Sequence, residues 1–91
     1  MNTQQIAIES LSMDLKRVAL GLHRGSHKTA ERFKEEALAR GEEIESQGIY
    51  DSYLAKIISG AKDTLTSTHE RVAEDALMYS TLFQNYARKK L

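Results

Sequence analysis

The 91-residue chain is sized for a single domain spanning 1–91, and its 13 basic and 13 acidic side chains cancel to zero net charge. It contains no cysteine, which excludes disulfides, thiolate catalysis and Cys-based zinc sites. It contains no proline and only five glycines, so little in it interrupts a helix.

The first predicted element is a helix on which Ile8, Leu11, Leu15, Val18 and Leu22 recur at steps of three and four, the spacing of one apolar stripe. Met13 and Leu20 are expected to widen that face. Asn2 or Thr3 can cap its start, with Gln5 as a capping-box partner for Asn2. Gly21 and Gly25 raise the cost of continuing, and Ser26 can cap a second helix, so a turn is expected at His23–Ser26.

The second predicted helix covers about 27–46, with Ala30, Phe33, Ala37 and Ile44 facing inward and Leu38 beside them. Gln47-Gly48 stops it, because glycine tolerates the left-handed conformation that ends many helices.

From Tyr50 the apolar positions run through Leu54, Ile58, Ala61, Leu65, Thr68, Val72, Ala76, Tyr79 and Phe83 to Tyr86 without leaving the helical step. The unbroken phase favours one continuous or kinked helix. Gly60, and the capping-box sequence Ser67-Thr68-His69-Glu70, oppose it. The fold class is therefore all-α, a bundle of three, or with a break near 60–67 four, antiparallel helices with a long C-terminal helix.

A helix of about 38 residues spans roughly 57 Å, whereas partners of about 20 residues span only about 30 Å. Such a helix outruns its cover, which leaves Leu77, Tyr79, Leu82, Phe83 and Tyr86, with Met78, as an apolar patch. The expected partner is a second copy in a homodimer, with another protein as a further possibility.

The charges are unevenly placed. Residues 16–34 hold Lys16, Arg17, Arg24, Lys28, Arg32 and Lys34 against Glu31, a net +5, and residues 35–51 hold six acids against Arg40, a net −5. The second helix thus has its charges reversed relative to its own dipole, at about 0.3–1 kcal/mol for each misplaced charge. An anion at the helix start, met by Arg24, Lys28 and Arg32, offsets that cost. So does an antiparallel partner whose acidic block faces the basic one. Nucleic acid is the competing ligand for the basic stretch 16–34, but a pI near 6.8 is low for such a role.

His23, His27 and Glu31 are spaced as metal ligands would be on one helix, but Gly25-Ser26 is expected to part them, so no metal or other cofactor is expected. His69 stands alone beside the apolar stripe. The segment His23-Arg24-Gly25-Ser26 resembles the phosphoacceptor segment of histidine phosphotransfer domains over four residues, with the basic residue and glycine misplaced. Small helical chorismate mutases are similar in length and helicity, without their paired Ile-Asp steps here. Neither resemblance carries an activity over, and a non-catalytic interaction or scaffold module is the expected function. No apolar run approaches the roughly 20 residues of a membrane span, and no signal-peptide pattern opens the chain, so a cytoplasmic setting is expected by default.

Overall fold

A computed structural model describes residues 3–48, 51–68 and 70–90. The expected cap Asn2, the stripe member Tyr50 and His69 of the capping-box sequence lie outside the described residues. Within them lie four helices and no strand: α1 (Thr3–His23), α2 (His27–Ser46), α3 (Ser52–Leu65) and α4 (Val72–Lys90). Helix α1 neighbours α2 and α4, and α3 closes the ring from the other side by touching the same two helices. This is an all-α helical bundle.

Helix α1 supplies the largest share of the core because it is buried along two adjoining faces. Ala7, Leu11, Val18 and Gly21 lie towards α2, and Ile8, Ser12, Leu15 and Ala19 lie towards α4. At the α4 seam, the Ser12 Oγ donates to the Ser80 carbonyl at 2.7 Å and the Ser80 Oγ donates to the Ser12 carbonyl at 2.7 Å. Both hydroxyls are buried, so this reciprocal pair fixes the axial register of the two helices at little desolvation cost. At the α2 seam, a side chain on Gly21 would meet the Ala30 backbone nitrogen at 3.0 Å. Gly21 therefore does not end α1. It lies inside the helix and lets α2 approach.

The turn at residues 24–26 does end α1. Gly25 has φ of 73°, Ser26 N–H donates to the Gly21 carbonyl at 2.8 Å, and Gly25 N–H donates to the Leu22 carbonyl at 3.1 Å. This is the six-to-one and five-to-two pairing of a glycine C-terminal motif. Helix α2 then follows its expected bounds, burying Ala30, Ala37, Gly41 and Ile44, with Phe33 and Leu38 partly buried against the core.

The long C-terminal helix does not form. Helix α3 passes through Gly60 undisturbed and stops at Leu65, and α4 begins at Val72. Gly60 is retained for space: a Cβ there would lie 2.6 Å from Cζ of Tyr79, whose ring packs across from α4. The break falls instead in the Thr66-Ser67-Thr68 cluster. There the Thr66 Oγ1 donates to the carbonyls of Lys62 at 2.9 Å and Asp63 at 3.2 Å, closing the helix locally. The apparent phase continuity ran through Thr68, a residue that fits a turn as well as a helix face.

At the opposite end, Asp51 caps α3 by accepting from the Tyr53 N–H at 2.9 Å. Its other carboxylate oxygen accepts from the Tyr86 hydroxyl at 3.0 Å, and the Tyr53 and Tyr86 rings stack with centroids 6.3 Å apart. One acid thus starts α3 and anchors the end of α4. Lys62 and Glu45 form an ion pair joining α3 to α2.

Replacing Gly60 with Ala is expected to cost about 1–3 kcal/mol as the Tyr79 ring is displaced, despite the better helix propensity of alanine. Chemical denaturation checks this, and an unchanged midpoint contradicts it.

Candidate functional site

The break between α3 and α4 changes which apolar side chains remain uncovered. Phe83 is 0% exposed and Tyr86 is 7% exposed, so both belong to the chain's own core, and Tyr79 and Leu82 are partly buried against it. These four were expected at an interface because a long helix would overhang its partners. Folded back as α4, the same segment is sheltered by α1 and α3. Of the expected patch, only Leu77 at 44% and the adjacent Met78 at 48% stay exposed.

A different stripe is uncovered instead. Ile6 is 49% exposed, Met13 52% and Leu20 40%, and they follow one another at seven-residue steps along α1. Seven residues are close to two helical turns, so the three lie in one line. That line points away from both buried faces of α1. Met13 and Leu20, expected to widen the inward face, therefore point outward, because α2 and α4 sit to either side of α1 and leave its back open.

Leu77 lies three residues before Ser80 on α4, at the level where α4 meets α1, and away from the buried positions Ala76 and Phe83. Next to Leu20, a shallow hollow of about 330 Å³ runs between α1 and α2, floored by Gly21 and Phe33 and rimmed by Arg17, Arg24, Ser26 and Thr29.

Arg24, Lys28 and Arg32 do not converge on one point. Arg24 lines the hollow, whereas Lys28 and Arg32 do not. The Arg32 guanidinium lies 5.3 Å from the Phe33 ring centroid and pairs with Glu36 at 3.7 Å. Arg17, on α1, covers the same ring at 5.2 Å. The Ser26 hydroxyl donates to the Thr29 hydroxyl at 2.8 Å and does not cap the α2 amides, so the start of α2 faces the hollow without a side-chain acceptor.

A second cleft, of about 480 Å³, opens where the end of α1, the start of α2 and the segment joining α3 to α4 meet. Val18, Leu22, Leu65 and Val72 give it apolar walls. His23 and Glu31 both line it, but His27 does not, so His27 is parted from the other two. Among the described residues no cluster of three or more His, Cys, Asp or Glu side chains could hold a metal ion, and no helix is long and apolar enough to cross a membrane.

The sequence reading missed one buried charge. Asp14 sits at the α1–α2 seam with 4% exposure, and its Oδ1 lies 3.7 Å from the Arg17 guanidinium. Its Oδ2 has no hydrogen-bond partner, nor does the buried Nε of Arg40. The positions Ala7, Leu11, Asp14, Val18 and Gly21 step by four and three, and that spacing placed Asp14 on a buried face. Burial, reinforced by Glu36, raises its carboxyl above the usual 3.8, although Arg40 and Arg17 pull it down.

A raised carboxyl in the folded state means that the native chain holds a proton at pH values where the unfolded chain has released it. Its contribution to stability is then greatest below about 3.8 and declines as pH rises through the folded value. Asp14→Asn is therefore expected to stabilise the protein at neutral pH, with the gain shrinking on acidification. Thermal melts across that range test this, and a variant less stable than the parent at neutral pH contradicts it.

In comparisons with known protein families, with curated proteins and with solved structures, nothing matches this chain.

Proposed function

We propose that the chain is a non-catalytic interaction module that self-associates as a homodimer. The observation that supports it is the line of half-exposed Ile6, Met13 and Leu20 on the back of α1, with Leu77 of α4 on its flank. Scattered apolar side chains are ordinary on a protein surface, but a regular apolar line along one helix is the pattern by which helices pair. Burying each half-exposed side chain contributes about 1 kcal/mol, and a two-fold interface counts each of them twice. The surface that joins the copies moves in this reading from the C-terminal helix alone to the back of α1. A cytoplasmic setting belongs to the same proposal and rests on the cysteine-free composition.

The expected mass in light scattering is that of a dimer. Met13→Glu combined with Leu20→Glu is expected to give a monomer with unchanged helicity, because neither side chain contributes to the core. A parent protein that stays monomeric from micromolar to millimolar concentration overturns the reading.

A second reading, phosphate or nucleic-acid binding, is favoured by the hollow beside the uncapped start of α2, where Arg17 and Arg24 stand. Titration with inorganic phosphate and with short DNA and RNA duplexes at low salt is expected to show weak, salt-sensitive binding that is lost in Arg24→Ala. No response at low salt overturns it.

A further inference from the structure

We propose that the second copy docks antiparallel on α1, across a two-fold axis that passes at the level of Met13. This rests on the self-association reading and specifies its geometry. The apolar line alone would allow the two copies of α1 to run either way, and the charges decide between them.

Glu9 and Lys16 lie three residues before and four after Ser12, so both project on the flank of α1 that borders α4. Neither makes an ion pair within the chain among the described residues. A two-fold axis lying in the interface, perpendicular to α1, reverses the helix direction and keeps the α4 flank of one copy against the α4 flank of the other. Met13 lies near the midpoint between Glu9 and Lys16. The operation therefore sets Glu9 of each copy against the other copy's Lys16 within about one residue of rise, roughly 1.5 Å. It also sets Ile6 against Leu20 and Met13 against its own equivalent. A parallel arrangement, with its axis along the helices, would turn the α4 flank of one copy towards the α2 flank of the other, so that Glu9 and Lys16 would not meet.

The neighbouring helices carry the same self-complementarity. Helix α2 begins with Lys28, followed by Arg32 and Lys34, which already pair with Glu36 and Glu31, and ends with Glu42, followed by Glu43 and Glu45, which already pair with Arg40 and Lys62. Helix α4 begins with Glu74 and Asp75 and ends with Arg88 and Lys89. Reversal lays the basic end of each beside the acidic end of its equivalent. The same contact places an acidic partner beside the start of α2, whose charges oppose its own dipole.

The absence of native cysteine makes the geometry directly testable by disulfide formation in the full chain. Met13→Cys is expected to oxidise to a covalent dimer. Ile6→Cys and Leu20→Cys are each expected to stay uncrosslinked alone, and to form a mixed disulfide when combined. Glu9→Lys or Lys16→Glu is expected to weaken the dimer about tenfold, and the double exchange to restore it. A dimeric mass with Ile6→Cys crosslinking to itself, or with no crosslink at Met13→Cys, overturns the antiparallel geometry and leaves self-association standing. A monomeric parent overturns both.

Discussion

The structure depends on α1 being buried along two adjoining faces at once. A helix that touches one neighbour needs a single stripe, whereas α1 carries small and branched residues in two rows. Gly21 against Ala30 admits α2, and Ser12 against Ser80 admits α4. Both contacts are close approaches, and both fix position along the helix axis as well as distance. Once α2 and α4 are set against α1, their remaining apolar faces form a trough, and α3 fills it with Leu54, Ile57, Ile58, Ala61 and Leu65. The cost of this arrangement is that, among the described residues, none is left to cover the back of α1.

Polar groups in the interior divide into those fully paired and those not. Ser12 and Ser80 satisfy each other, and Asp51 serves an amide of α3 and a phenol of α4 together. Burial and the Asp51 contact also raise the Tyr86 hydroxyl above its ordinary value, so it remains a donor under all ordinary conditions. The α1–α2 seam is different. Asp14 and Arg40 each leave a buried polar atom without a partner, and a half-satisfied charge opposes folding more than an apolar side chain would. The two seams that flank α1 therefore differ in character: the one with α4 is small, neutral and satisfied, and the one with α2 is charged and incompletely paired.

Much of this was legible in the residues. The all-α class, the bounds of α1 and α2 and the glycine turn between them follow from apolar spacing and cap chemistry acting locally. The fate of the second half was not local. Thr68 kept the helical phase intact across a real break, and only the packing of Tyr79 onto Gly60 shows why α4 turns back along α3. The burial of Phe83 and Tyr86 follows from that turn, while Leu77 of the same helix stays exposed. The line of Ile6, Met13 and Leu20 was visible as a seven-residue spacing. It could not be assigned to the outside until the directions of α2 and α4 were known, because every face of α1 carries apolar residues.

The Ser12–Ser80 contact joins positions separated by 68 residues. The helix that organises the bundle is therefore made early in synthesis and completed late, when the residues around Ser80 and Phe83 have emerged. Until then the α4 side of α1 is open to water, and closing so long a loop is the slow, entropically costly part of assembly. Before the last helix docks, that unfinished face adjoins the apolar back of α1, so the chain exposes more apolar surface then than at any later stage of assembly.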